Sequence, residues 1–231
     1  MNRKYLAIAI IVFMLFIDQW SKIWVKLNMH LGESFNVLGD WFKFYFIENP
    51  GMAFGITWGL GIGKIALSLF RLIAIIFLGI YLSGIIKRKL PYGLVVGFAL
   101  IFAGATGNLI DGMFYGLIFN ESTYQTVAGL TAFGAGYEGF LQGYVVDMLY
   151  FPLFSGTFPS WLPFWGGQEF LFFSPIFNIA DSCVFLGVVT IVFYNKSFMA
   201  DVNRNKVEPA TSEVISPPII DAPGEEEEVI N

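Results

Sequence analysis

The chain has 231 residues, of which 56% are apolar, 18% aromatic and only 13% charged. Soluble domains carry about a quarter charged residues, so the composition is that of a membrane protein. The formal charge of −5 lies wholly in the stretch from Lys196 to Asn231, with three basic and eight acidic residues; the rest holds ten of each sign. A neutral body of this kind gives no support to nucleic-acid binding. The single Cys and single His exclude an intrachain disulfide and leave His/Cys metal sites without ligands, so neither a metal nor a cofactor is expected.

Four apolar segments approach the ~20 residues needed to cross a bilayer. The first runs from about Tyr5 to Leu27. A cleavable signal peptide is the competing reading, but Ile17-Asp18-Gln19-Trp20 lacks the small residues of a cleavage site, which favours an uncleaved span. The second runs over about Ile65–Ile86 and carries Arg71. The third, Tyr92–Ile110, is uncharged, and the fourth, Pro175–Tyr194, carries only Asp181. Arg3 and Lys4, Lys87-Arg88-Lys89 and Lys196 flank these spans on one side, whereas residues 112–174 contain no Lys or Arg. Cytoplasmic loops attract basic residues, so both termini are expected in the cytoplasm, with segments 28–64 and 112–174 facing outward.

The outward segments carry their own pattern. Phe35–Ile47 is aromatic and β-branched with Gly39-Asp40 as its turn, which predicts a short hairpin. Residues 112–174 are rich in glycine and aromatics; the Pro- and Trp-containing run Phe151–Trp165 is expected to dip to the membrane surface. From residue 197 the like charge of Glu225–Glu228 and the Pro-Pro and Pro-Gly pairs predict a disordered acidic cytoplasmic tail. The division expected is therefore a membrane domain over 1–196 and a tail over 197–231.

Several polar residues stand out against this background. Asp18 and Lys22 are four apart and share a helix face, either as a structural ion pair or as support for a site. Asn49-Pro50-Gly51 reads as a turn, and Asn49 can also donate to a substrate carbonyl. Asn108 and Asp111 close span three beside Gly104 and Gly107, small residues that permit close helix approach; a polar helix end explains them equally well. Asp147 and Asp181 have no basic residue within ten positions. A carboxylate in such a setting is protonated, paired or functional. Two of them suggest a proton-sharing dyad, and two unrelated interfacial carboxylates are the alternative. Asn178, three residues before Asp181, lies on its face of the helix.

Taken in order, Asp18-x-x-Ser21-Lys22, Asn49-x-Gly51-x-Ala53-Phe54, Gly107-Asn108-Leu109-Ile110-Asp111, Val145-Val146-Asp147 and Phe177-Asn178-x-Ala180-Asp181 resemble lipoprotein signal peptidase (signal peptidase II) over most of residues 1–196. The resemblance implies four transmembrane helices with a small extracytoplasmic β-cradle. It implies an aspartic endopeptidase of the bacterial inner membrane that cuts prolipoproteins before their diacylglyceryl-modified cysteine. Its active site would lie at the outer face. By resemblance, the catalytic pair falls on Asp147 and Asp181, with Asp18, Lys22, Asn49, Gly51, Asn108, Asp111 and Asn178 binding substrate or supporting the site. The implied partners are the lipid-modified substrate, membrane lipid and globomycin-type inhibitors. Two features depart from the pattern. Gly112 stands where the family usually has Arg, and an insert of roughly Tyr115–Gly143 lengthens the outer loop.

Other classes fit less well. A proton or ion pathway would place its acids across the membrane, not near one face. A rhomboid-type serine protease needs a Ser–His pair, but His30 lies outside the spans and Gly-x-Ser-x-Gly is absent. The Gly-x-Gly-Asp of presenilin-type proteases and the Asp-Thr/Ser-Gly of soluble aspartic proteases are absent too.

Overall fold

Helix α1 (Arg3–Asn28) is opened by Asn2, whose side chain accepts the Lys4 N–H. At 26 residues it is about 39 Å long, against a hydrocarbon core of about 30 Å. Its amphipathicity is inverted. Asp18, Ser21, Lys22 and Lys26 recur at helical spacing and are buried, while Val12, Phe13, Phe16, Trp20 and Trp24 are exposed. That is the pattern of a helix whose surroundings are apolar and whose neighbours are polar.

The computed structural model describes residues 2–50, 62–194 and Met199. Met1–Asn195 forms one unit, and the expected tail, Met199 apart, lies outside the described residues. After α1 come strands β1 (Ser34–Leu38) and β2 (Phe42–Asn49), the hairpin expected over Phe35–Ile47. Its turn takes in Gly39, at φ +51°, a conformation glycine adopts without strain. Helices α2 (Ile62–Lys87) and α3 (Tyr92–Ile110) follow, joined by a short turn with Pro91 at the N-cap of α3. Arg3 donates to Leu90 O at 2.8 Å, so the start of the chain sits against the basic α2–α3 turn.

Helix α3 does not stop at Ile110. It continues as a π-helical turn (Asp111–Tyr115) and a last short piece, α4 (Gly116–Ile118). Strands β3 (Val145–Tyr150), β4 (Phe154–Thr157), β5 (Glu169–Phe172) and β6 (Ile176–Phe177) precede helix α5 (Ile179–Phe193). The expected fourth span thus begins later than the sequence suggests. Its first residues pair as a strand with β3 (Leu149 with Phe177, Tyr150 with Ile176), and Asn178 caps the helix. Among the described residues, three helices are long and apolar enough to cross a membrane, Arg3–Asn28, Gly63–Lys87 and Tyr92–Ile118; Ile179–Phe193 is a shorter apolar helix.

The main sheet has the order β1-β2-β3-β6, every neighbour antiparallel. Phe46, Val146 and Met148 of this sheet pack with Val25 and Met29 of α1 and with Tyr115 and Phe119, all buried. This cluster fixes the sheet over one end of the helices. Within the bundle, α3 meets α5 through small residues. A Cβ at Gly104 would collide with Ala180 O, and one at Gly107 would lie 2.5 Å from Asp18 Oδ2. The two backbones can approach only because those side chains are missing.

The insert is knitted to the end of α3. Gly143 N–H donates to Gly112 O at 2.9 Å, Glu138 N–H to Gly116 O at 3.0 Å and Tyr137 N–H to Phe119 O at 2.9 Å. Lys64 of α2 pairs with Glu138 at 2.7 Å. At the lower corner, buried Lys26 is bound to Glu48 of β2 and, at 2.9 Å, to Ser122 of the insert. A buried ammonium is tolerable only with partners of this kind.

Candidate active site

Four elements converge on one polar cluster. From α1 come Asp18, Gln19 and Lys22, and from the end of α3 Asn108 and Asp111. Strand β3 supplies Asp147, and the start of α5 supplies Asn178 and Asp181. Lys22, fully buried, lies 2.9 Å from Asp18 Oδ2 and 2.8 Å from Asp111 Oδ2. It also donates to Asn108 Oδ1 at 2.9 Å. One cation therefore balances two carboxylates and fixes the rotamer of an amide. Asp18 Oδ1 accepts the Ala180 N–H at 2.9 Å, tying α1 to the first turn of α5.

The amides carry this order to the two candidate acids. Asn108 Nδ2 donates to Asp181 Oδ1 at 2.8 Å. Asn178 Nδ2 donates to Asp147 Oδ1 at 2.7 Å and to Asn108 Oδ1 at 3.1 Å. Asn178 is also the N-cap of α5: its Oδ1 accepts the Asp181 N–H at 2.9 Å, and Asp181 Oδ2 accepts the Asn178 N–H in return. This reciprocal capping box satisfies two otherwise orphaned backbone donors and fixes where the Asp181 carboxyl points. Both carboxyls are thus held from behind by amide donors anchored on Lys22.

Their electrostatics are unequal. Burial first, and the negative charge of Asp181 second, push the Asp147 carboxyl up to about 7, with the Asn178 hydrogen bond working the other way. Near neutrality Asp147 is poised between its protonated and ionised forms, as a shared-proton pair requires.

Of the residues singled out in the sequence, Asp18, Lys22, Asn108, Asp111, Asn178, Asp147 and Asp181 belong to one connected network. Asn49 ends β2 opposite Val145, two residues from Asp147 along β3. Gly51 lies outside the described residues. Gly112 is buried in the π-helical turn, where a Cβ would lie 3.2 Å from Ser68 Oγ of α2. Glycine there lets α2 and the insert close on that turn. Arg71, on α2 one turn from Ser68, is half-buried and within electrostatic reach of Asp111, Asp181 and Asp147.

Sequence reasoning missed Gln19. Its amide donates to Asp18 Oδ2 at 3.1 Å and Asp111 Oδ1 at 2.9 Å, and it accepts from Tyr115 Oη at 3.2 Å. The signal was present, since an uncharged polar residue in an apolar span needs partners. Lys26, four residues after Lys22 on the same face, carried the same signal.

The family described as "Signal peptidase (SPase) II" matches residues 10–196. A lipoprotein signal peptidase of Porphyromonas gingivalis is 52% identical over 186 residues, 80% of each chain. One from Amoebophilus asiaticus is 38% identical over 192 residues, 82% of this chain and 76% of that one. Among solved structures, one described as a bacterial membrane enzyme determined in meso at 2.3 Å superposes with a TM-score of 0.52 and 25% identity, covering 84% of this chain and 90% of the other. A second such structure, at 1.9 Å, gives a TM-score of 0.51 and 28% identity over 81% and 90%. With a match across nearly the whole membrane unit, the chain belongs to the signal peptidase II family of membrane aspartic proteases.

Proposed function

We propose that this protein removes signal peptides from bacterial prolipoproteins by hydrolysing the peptide bond before the diacylglyceryl-modified cysteine, with Asp147 and Asp181 as the catalytic pair. The observation that carries the assignment is the double role of Asn178, which holds Asp147 and caps the helix that starts with Asp181. Family membership supports the reaction, and the raised Asp147 carboxyl supports the division of labour.

Asp181 takes a proton from water held between the two acids. Asp147, in its protonated form, donates a hydrogen bond to the scissile carbonyl oxygen. Attack by the water oxygen forms the new C–O bond and a tetrahedral intermediate. Transfer of a proton to the leaving nitrogen accompanies C–N cleavage, giving a free amine and a carboxylate. Asp18, Lys22, Asn108, Asp111 and Asn178 do not touch the reacting bond in this scheme; they fix the carboxyls and balance their charge. Asn49, at the end of β2, borders the substrate path.

The protein acts in the inner membrane with four spans and both termini cytoplasmic, the last span being completed around α5. The main sheet forms a cradle at the outer face, so the substrate's acyl chains remain in lipid while its peptide bond reaches the acids. Globomycin-type inhibitors would occupy the same path. The test is cleavage of a diacylated prolipoprotein peptide beside its unlipidated form. Cleavage of the lipidated peptide alone is expected; equal cleavage of both removes lipid recognition from the proposal, and cleavage of neither removes the activity.

A further inference from the structure

The 24 residues from Phe151 to Ser174 join β3 to β6 and α5, and hence Asp147 to Asp181. They contain one charge, Glu169, and no Lys or Arg. They fold as a β4–β5 hairpin in register from Phe154–Phe172 to Thr157–Glu169. The hairpin has internal order: Phe154 stacks on Phe172 and Phe158 packs at a tilt on Phe170, each at 4.6 Å between centroids. Gly167 N–H donates to Phe158 O and Phe158 N–H to Gln168 O, both at 2.9 Å, which closes the tip.

That order leaves its largest side chains outside. Trp161 is 77% exposed, Phe164 90% and Trp165 56%. In a chain facing water, such a patch would be unsettled. Here further exposed apolar side chains follow at the base of the hairpin and on α5. Phe172 and Phe173 are exposed at the base of the hairpin, and α5 then shows Phe185, Leu186, Val188, Val192 and Phe193. Tryptophan and phenylalanine without basic residues suit the boundary between headgroups and acyl chains. They do not suit an anionic headgroup, which would demand Lys or Arg.

We propose that the β4–β5 hairpin is a lipid-inserted arm whose tip, Trp161, Phe164 and Trp165, rests in the boundary layer of the bilayer and sets the depth of Asp147 and Asp181. The base of the arm transmits this depth to both acids. Tyr150 and Leu149 of β3 pair with Ile176 and Phe177 of β6, two residues from Asp147 on one side and four from Asp181 on the other. The occupant is lipid, not a second protein. The anchoring stands on the hairpin alone; the depth-setting role rests on the proposed peptidase activity.

Two measurements test these parts separately. In a Cys183→Ala background, the variants Phe164→Cys and Gln125→Cys are labelled with an environment-sensitive fluorophore and placed in phosphatidylcholine nanodiscs. Gln125 is an exposed polar residue of the insert. The label at 164 is expected to be quenched by lipids spin-labelled near the headgroup and to be at least about threefold less accessible to aqueous iodide than the label at 125. Equal iodide access at both positions overturns the arm. The triple variant Trp161→Ser/Phe164→Ser/Trp165→Ser is then assayed on a lipidated peptide in bilayers. A rise in KM of about tenfold, equivalent to roughly 1.4 kcal/mol, is expected with kcat within about twofold. An unchanged KM beside positive quenching overturns the depth-setting role. Failure of the wild type to cleave overturns the peptidase reading while leaving the quenching result in force.

Discussion

The polar cluster and the β4–β5 hairpin are built on opposite rules. In the cluster, charges are buried, Asp181 alone partly so, and every carboxylate has a named partner. In the hairpin, aromatic rings are exposed and charge is nearly absent. Each would be a defect in a soluble protein. Together they show that solvent for this chain changes over a short distance, and that side chains are sorted by what surrounds each element. Polar groups turn inward to find one another because lipid offers no hydrogen bonds. Aromatic groups turn outward because lipid accepts them.

The comparison breaks most visibly at the acids. Asp147→Asn or Asp181→Asn keeps the size of the site but removes proton exchange; at 181 the amide can accept only one of the two hydrogen bonds that the carboxylate accepts. A loss of kcat of about a hundred- to ten-thousandfold is expected in the peptide assay, with the unfolding temperature in detergent little changed; normal turnover by either variant ends the dyad assignment. Lys22→Met strips the cation from Asp18 and Asp111, with which it pairs at 2.9 and 2.8 Å. Removing one partner of a buried pair costs about 3–5 kcal/mol, so chemical unfolding should begin at clearly lower denaturant. Gly104→Val forces α3 away from Ala180 and is expected to cost about 1–3 kcal/mol in the same titration.

Proton dependence sharpens the comparison further. With Asp147 raised to about 7 and required in its protonated form, kcat should fall up to about tenfold per unit as pH rises above about 7. The folded protein also binds this proton more tightly than the unfolded chain, whose carboxyl titrates near 4. Stability is therefore lost as pH rises between about 4 and 7. A kcat that stays flat as pH rises above about 7 would deny Asp147 its assigned role. The smallest effect belongs to the hairpin. Phe164→Ser, at a side chain 90% exposed, should leave detergent stability within about 0.5 kcal/mol, whereas Lys22→Met should not.

Much of this was legible in the sequence because the constraints are local. Acids in apolar runs, Asp18–Lys22 at one helical turn and the aromatic alternation of the first hairpin each follow from neighbours in the chain. Gly104 and Gly107 were read as contact points, and they face Ala180 and Asp18. What escaped depends on distant partners. The residues before Ile179 are as apolar as the helix that follows, so composition extends the span backward; pairing with β3 is what makes them a strand. The π-helical turn at Asp111–Tyr115 leaves no mark in the periodicity. The insert reads only as a lengthened outer loop, and nothing local marks the backbone ties that bind it to Gly112, Gly116 and Phe119. Glu48 and Ser122 gain meaning only through Lys26, which is far from both in the chain.

The bond between Asp18 of the first helix and the Ala180 N–H of the last bears on how the protein is born. Synthesis runs from α1 to α5, so Asp18 and Lys22 enter the membrane paired with each other, long before the chain end that completes them exists. Asp147 follows without its Asn178, and Asp181 arrives last. Until α5 docks, neither acid is held and no hydrolytic centre exists. With Asp147 and Asp181 as the proposed pair, a ribosome-bound or truncated chain is expected to be a silent protease that gains competence only when the final helix joins the first.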